Sequence, residues 1–332
     1  MKEYMASAAR YDAAGEFYRR CGNSGILLPK VSLGFWQNFG AECLYDNARA
    51  IARLAFDNGV THFDLANNYG PPPGAAEELL GRMLKDDFAP HRDELFIATK
   101  AGYDMWQGPY GSWGSRKHLI SSIDQSLSRM QLDYVDLFYI HRYDPLTPLD
   151  ETLQALVDIV RAGKALYIGI SRWPLDALKY ANTFLRKQGV PPLIFQGRLN
   201  LLDRTVQEEG IPSYCKNEGI GFISFSALAQ GLLTSRYLNG IPSDSRMSRG
   251  GSLKEKQLTP QLVEYLNDLS AIAVERGEPL ATMSLAWVLA QEGVTSVLVG
   301  ARTPEQFAES LHCIKVSQDI CNDLPLYPHK VF

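Results

Sequence analysis

Membrane-length apolar runs, basic blocks and paired-cysteine motifs are all missing from this 332-residue sequence. No stretch approaches the roughly 20 consecutive apolar residues that a bilayer-crossing helix needs. The opening MKEYMASAARYDAAGEFYRR has no contiguous apolar core, which argues against a secretory leader. The five cysteines, at positions 21, 43, 215, 313 and 321, are odd in number, scattered and free of CxxC spacing. That excludes a disulfide framework and a cysteine zinc site, leaves no metal centre to expect, and reads as reduced thiols in a cytoplasmic protein. Lys plus Arg number 33 against 37 Asp plus Glu, for a formal net charge of -4. With no basic run to track a phosphate backbone, nucleic acid is not an expected partner, and neither is a membrane.

What is present is an ordinary globular composition, 45% hydrophobic and 21% charged. It is enough for a large core and fits either one large α/β barrel or two domains; with no low-complexity linker along the chain, residues 1–332 read as a single domain with an N-terminal extension and hairpin over 1–30. Residues 17–29, FYRRCGNSGILLP, place β-prone residues on both sides of Gly22-Asn23-Ser24-Gly25, which predicts a β-hairpin. Short apolar strands follow at 31–34, 62–64, 95–99, 135–140, 165–170, 193–195, 221–225 and 296–299. Helical periodicity marks 47–58, 75–84, 116–130, 149–161, 175–187, 207–217, 261–276, 281–290 and 304–311. Repeated strand-then-helix units imply parallel strands with right-handed crossovers. Eight of them favour a closed (β/α)8 TIM barrel over an open sheet. The GxGxxG of a dinucleotide-binding open sheet does not follow the first strand. The longest connection, about 238–260 after the seventh strand, is rich in Gly, Ser and charge, as lids and binding loops are.

Residues 61–70, THFDLANNYG, are the focal stretch. Asp64 ends one strand and Tyr69 follows in a Gly/Pro-rich loop; LFIATK ends at Lys100 and VDLFYIH at His141. Taken singly, each has a plain explanation: a turn aspartate, a packed loop tyrosine, a core histidine. The lysine is least easily explained away, because lysine is rarely buried unpaired. Taken together, all four fall at the C-terminal ends of barrel strands, where barrel active sites lie. A tyrosine of pKa about 10 is a poor acid at neutral pH. A neighbouring ammonium favours the phenolate and lowers that value, and a carboxylate holds the ammonium charged and in place. His141 can orient a substrate oxygen. The sum is general acid catalysis of carbonyl reduction, and because no side chain donates a hydride, an organic cofactor is required.

At this point the sequence resembles the aldo-keto reductases, from the hairpin through at least GARTPEQF. FDLANNYG, FIATK, YIHR, YIGIS, ALAQGLLT and VLVGARTPEQ occur in family order and spacing. GPPPGAAEELLGRML and KAGYDMWQGPYGS are most similar to the bacterial L-glyceraldehyde 3-phosphate reductases, with potassium-channel β-subunits a related branch. The resemblance implies a hairpin closing the barrel bottom and NADPH (or NADP+) extended over the top. It makes Tyr69 the general acid, Lys100 and Asp64 its tuning pair, and His141 the orienting residue. It assigns Ser171, Arg172 and Gln196 to the nicotinamide and its amide. Phe225 is assigned to the ring face, and Ser226, Ala227, Leu228, Ala229 and Gly231 to the pyrophosphate. Arg236 and Arg246 answer to phosphate and adenosine, and Gly300, Arg302, Gln306 and Glu309 to the adenosine phosphate, where the last helix begins. Trp36 walls the pocket. The sequence departs from the family pattern at Ala227, Leu199, Ser310 and Trp113.

The same resemblance implies a small aldehyde as substrate, either L-glyceraldehyde 3-phosphate or methylglyoxal. The aromatic loop at 102–114, with Tyr103 and Trp106, is expected to overhang Tyr69, and Arg142 is a candidate cation for a substrate phosphate. Two alternatives stand beside it: an NADPH-sensing regulatory subunit like the channel branch, or a reductase of aryl and hydrophobic aldehydes. Ser171-Arg172-Trp173 resembles the channel branch, but His141 does not, because that branch carries asparagine there. A homo-oligomer, tetramer or octameric ring, is also an expectation from resemblance.

Overall fold

Eight short apolar strands become the staves of a closed barrel in a computed structural model of the chain. Residues 4–243, 245, 247–248, 253–316, 324–328 and 331 are described. A single helical turn, α1 (Ala14–Phe17), precedes a two-stranded antiparallel hairpin of β1 (Tyr18–Arg20) and β2 (Leu27–Pro29). The barrel strands are β3 (Val31–Gly34), β4 (His62–Asp64), β5 (Phe96–Ala101), β6 (Val135–Ile140), β7 (Ala165–Ser171), β8 (Pro192–Arg198), β9 (Gly221–Phe225) and β10 (Val294–Val299). They pair in parallel in chain order, and β10 closes the ring on β3 through Val297 opposite Val31.

Around them run α2 (Tyr45–Asp57), α3 (Ala75–Met83), α4 (Arg116–Met130), α5 (Leu149–Arg161), α6 (Leu175–Lys187), α7 (Thr205–Glu208), α8 (Ile211–Asn217), α9 (Pro260–Glu275), α10 (Leu280–Ala290) and α11 (Pro304–Leu311). Local chemistry sets several of the boundaries. Ser115, Thr259 and Thr303 each accept a backbone N–H at the start of a helix, and prolines occupy the first turns of α9 and α11. The single helix expected over 207–217 is in fact two. Gly210 takes a left-handed conformation (φ 73°), and Pro212, inside the next first turn, has no N–H to continue the earlier helix. The helix expected at 75–84 instead runs into a π-helical turn, Leu84–Phe88, where buried Asp87 receives Arg49 at 2.6 Å and Arg53 at 2.5 Å.

The hairpin sits at the N-terminal end of the barrel. The Cys21 thiol lies 3.6 Å from the carbonyl of Leu193 at the start of β8, and Arg19 donates to the carbonyls of Leu289 and Val294. Cys21 and Leu28 join Ala98, Leu137, Tyr139, Ile194 and Ile223 in the apolar plug of the barrel interior. A larger cluster lies between strands and helices, and α10 is buried on nearly every face. Each fully buried Leu, Ile or Phe adds about 1.5–3 kcal/mol of hydrophobic stabilisation. With one end plugged, the opposite end is left to hold polar side chains.

Candidate active site

Register decides which side chains meet at that end. Gly34 stands opposite Asp64, Asp64 opposite Ala98, Lys100 opposite Tyr139, and Ser171 opposite Gln196. Strand alternation then turns Asp64, Lys100 and Gln196 inward. The Lys100 ammonium donates to Asp64 Oδ2 at 2.5 Å and to the Leu65 carbonyl at 2.6 Å, while Gln196 Nε2 donates to Asp64 Oδ1 at 3.0 Å. Both charges are essentially sealed from solvent. Burial draws the Lys100 pKa down and pushes that of Asp64 up, and each partner's charge opposes the effect.

Tyr69 lies on the loop beyond β4, with its ring centroid 5.1 Å from Lys100 Nζ. From the sequence, an ammonium beside the phenol is expected to lower its pKa. In the structure that pKa is raised well above its usual value, first by burial, then by the negative charge of Asp64 and by Tyr103, with Arg172 opposing. Burial leads, and the lysine does not offset it by bonding the phenol, because its hydrogen bonds go to Asp64 and to a carbonyl. A protonated phenol is a proton donor in waiting.

His141 follows β6, anchored by its N–H to the Ala101 carbonyl at 2.9 Å. Its ring meets Tyr69 edge-on at 5.8 Å and Tyr103 at 4.7 Å. Its buried Nδ1 has no hydrogen-bond partner among the described residues. Burial, followed by the charges of Lys100, Arg172 and Arg142, holds its pKa well below the usual 6.5, so the imidazole is neutral. A neutral ring keeps one N–H to donate and one lone pair to accept.

Tyr69 and His141 open onto a cleft of about 1320 Å³, beyond the roughly 300–1,000 Å³ usual for small-ligand pockets. Of the residues singled out in the sequence, Trp36, Asp64, Tyr103, Ser171, Arg172, Gln196 and Phe225 line its inner part. Ser226, Ala227, Leu228, Gly231, Arg236, Gly300, Arg302, Gln306 and Glu309 line its outer part. Lys100 lies beneath the lining, and Ala229 is fully buried behind it. Arg246 lies outside the described residues.

Trp106 and Arg142 do not line the cleft. Trp106 packs on His118 with centroids 5.0 Å apart. Arg142 donates to the Gly102 carbonyl at 2.8 Å and stacks on Trp113 at 3.5 Å and on Tyr103 at 4.4 Å. Its guanidinium braces the aromatic loop from behind, so it is not placed as the substrate cation.

The cleft also contains side chains not singled out in advance, among them Gln37, Asn38, Arg198, Gln230 and Tyr237. Arg198 carried a readable signal: the alternation that turns Gln196 inward turns Arg198 inward as well. Gln37, Arg172, Ser226 and Gln230 all line the cleft with positive φ (63°, 58°, 54° and 60°), a conformation uncommon outside glycine and concentrated at functional sites.

An extended anionic dinucleotide fits this donor set. Arg236 and Arg302 flank the outer cleft, and α11 starts there on its Thr303 cap, presenting N–H groups to an anion. Gly231, at φ 102°, lets the backbone turn beneath it. Among the described residues no group of three or more His, Cys, Asp or Glu side chains could hold a metal ion, and no helix is long and apolar enough to cross a membrane.

Comparison with known proteins accords with this geometry. The profile of the aldo/keto reductase family matches residues 30–321. L-glyceraldehyde 3-phosphate reductases of Escherichia coli strain K12 and of Escherichia coli O157:H7 are each 52% identical over 315 residues, covering 94% of this chain and 90% of the relative.

Proposed function

We propose, from the premise that the chain belongs to the aldo/keto reductase family and is an oxidoreductase, that it reduces small aldehydes with NADPH. The observation that carries this reading is the buried Lys100–Asp64 pair beneath Tyr69, with His141 beside it at the inner end of a dinucleotide-sized cleft.

The cofactor, when bound, supplies the hydride. Ser171, Gln196 and Phe225 would hold its nicotinamide end, and Arg236, Arg302, Gln306 and Glu309 its adenosine end. Tyr69 gives the phenolic proton to the carbonyl oxygen as negative charge develops there. Its raised pKa does not forbid that transfer, because an alkoxide is far more basic than a phenolate. Neutral His141 donates an N–H to the same oxygen and fixes the aldehyde's orientation. Lys100, held by Asp64, keeps a positive charge beneath the phenol that steadies the phenolate left behind. Tyr103 and Trp36 exclude water from the mouth.

Glyceraldehyde 3-phosphate and methylglyoxal are the favoured substrates, the first because the similar Escherichia coli proteins are named for it. The arginines of the outer cleft favour NADPH over NADH. A homo-oligomer working in the cytoplasm belongs to the same reading, and a monomer in light scattering at working concentration contradicts that part.

The deciding experiment follows NADPH oxidation with glyceraldehyde 3-phosphate, methylglyoxal and a nitrobenzaldehyde, for wild type and Tyr69→Phe side by side. Turnover that falls by about 10²–10⁴ in the variant, while NADPH binding persists, is expected of a lost general acid. Tight NADPH binding with no turnover of any aldehyde by wild type contradicts the reductase reading in favour of a cofactor sensor. Preference for the nitrobenzaldehyde moves the substrate class to aryl aldehydes.

A further inference from the structure

Arg142 is committed to the loop, yet the inner cleft is not without cations. Arg172 and Arg198 stand at the C-terminal ends of adjacent strands, and both line the cleft. Their guanidinium carbons lie 5.7 Å and 5.8 Å from the ring centroid of the same side chain, Phe225. Arg198 is held from one side by Asp203 at 3.5 Å, and Asp203 is itself fixed by the Thr205 N–H at 3.1 Å. Arg172 enters no ion pair among the described residues. Among the described residues, Arg172 therefore brings to this part of the cleft a positive charge that no carboxylate pairs.

That charge has consequences in the structure. Burial, and then repulsion from Arg172, lowers the Arg198 pKa, while Asp203 and Tyr103 oppose the fall. Crowding two cations in a partly buried position is unfavourable unless an anion joins them. Tyr69, His141 and Tyr103 form one wall, and the charge of Arg172 is felt at both Tyr69 and His141. Tyr103, Phe225 and the two arginines line the same cleft as Tyr69 and His141, so the far end of a carbonyl compound held by those two can reach them.

We propose that Arg198, with Arg172, forms an anion subsite that selects aldehydes carrying a phosphate or carboxylate at the end remote from the carbonyl. The assignment rests on the reductase reading above and deepens it. Arginine suits the task because its planar fork meets phosphate or carboxylate oxygens in pairs. The neighbouring Leu199 is fully buried and turned away, so position 198 is the one that shapes the cleft here.

The test compares wild type, Arg198→Met and Arg198→Lys on four aldehydes: glyceraldehyde 3-phosphate, succinic semialdehyde, unphosphorylated glyceraldehyde and methylglyoxal. Arg198→Met is expected to lower kcat/KM on the two anionic aldehydes by about 10–100-fold, the equivalent of one lost charge-assisted hydrogen-bonding group. The change should sit in KM, leave the neutral aldehydes within about twofold, and be partly rescued by lysine, a point charge without the fork. Loss on the phosphate alone, or on the carboxylate alone, supports the subsite and says which anion it takes. Equal losses on neutral and anionic substrates, or a weakened NADPH dissociation constant by fluorescence titration, overturn it by making Arg198 structural or cofactor-binding.

Binding of non-reacting glycerol 3-phosphate to the NADP+ complex, by calorimetry, separates the two levels of the argument. Arg198-dependent binding without turnover keeps the subsite and defeats the reductase reading. Turnover with Arg198-independent binding does the reverse.

Discussion

The Lys100 ammonium lies 2.5 Å from Asp64 Oδ2 but 5.1 Å from the centroid of the Tyr69 ring. Its charge is thus satisfied by the carboxylate first and reaches the phenol as a field rather than a bond. Removing the lysine leaves a sealed carboxylate without its counter-ion. Lys100→Met is expected to cost about 3–5 kcal/mol, the usual penalty for breaking a buried pair. Asp64→Asn together with Lys100→Met should cost less than Lys100→Met alone, because no buried charge is left uncompensated. Urea unfolding of the two single variants and the double variant closes the cycle. Simple additivity shows that the pair is not coupled.

A second prediction concerns pH. His141 has its pKa held well below 6.5 and Tyr69 has its own pushed well above 10, in both cases with burial as the leading cause. A histidine with a depressed pKa is neutral at every pH above that depressed value. A tyrosine with a raised pKa stays protonated up to that raised value. Neither changes state near neutrality, so kcat/KM for a neutral aldehyde such as methylglyoxal should be flat between about pH 6 and 8, where an ordinary histidine would titrate. A profile with an inflection near 6.5 that disappears in His141→Asn contradicts the neutral imidazole.

Much of this site was legible in the sequence, because strand ends are marked by where apolar runs stop. Asp64, Lys100 and His141 each close such a run, and parallel topology collects such ends at one rim. Other features were not legible, for physical reasons. Arg142 and Arg198 look alike as letters. One is stacked on Trp113 and the other faces the cleft only because loop geometry and strand phase differ. Trp106 reads as a lid residue until its packing on His118 is known. The direction of the Tyr69 pKa is set first by burial, and spacing alone reveals neither that burial nor which groups take the lysine's hydrogen bonds. The break between α7 and α8 was signalled by Gly210 and Pro212, but apolar periodicity ran through it.

A third prediction tests the floor of the site. Tyr139 is fully buried in the barrel, and Lys100 Nζ lies 5.3 Å from its ring centroid. Gly169, on the adjacent strand, makes room for that ring: an added Cβ would lie 2.2 Å and 2.3 Å from its edge carbons. Gly169→Ala must therefore push Tyr139 toward Lys100. The expected outcome is a loss of about 1–3 kcal/mol from overpacking, with kcat reduced alongside. Gly25→Ala, where nothing stands within 4 Å, is the matched control. Equal melting temperatures for the two variants would falsify the close fit.

The last prediction concerns acid stability and comes from His62, fully buried inside the barrel. Its Nδ1 sits 2.9 Å from Ser32 Oγ, which in turn is 2.7 Å from Ser296 Oγ, and its Nε2 has no partner among the described residues. Burial, reinforced by the charge of Lys100, lowers its pKa to about 3. In the unfolded chain the imidazole takes a proton as pH falls through the ordinary value of about 6.5. The folded protein binds that proton only near pH 3. Between those values the unfolded state carries the extra proton, so acidification drains stability across this window and stability rises again with pH. Each pH unit inside the window is worth about 1.36 kcal/mol, so descending from about pH 6.5 to 4.5 should cost the native state roughly 2.5 kcal/mol through this side chain. His62→Asn cannot take up the proton but can still bond Ser32. Its unfolding free energy should start below that of wild type at neutral pH and then fall less steeply on acidification. Every other titrating group is common to both proteins and cancels in the difference, so the divergence isolates His62. Parallel curves from pH 7 to 4.5 mean that the barrel interior admits the proton, and His62 is then not sealed from it as its burial implies.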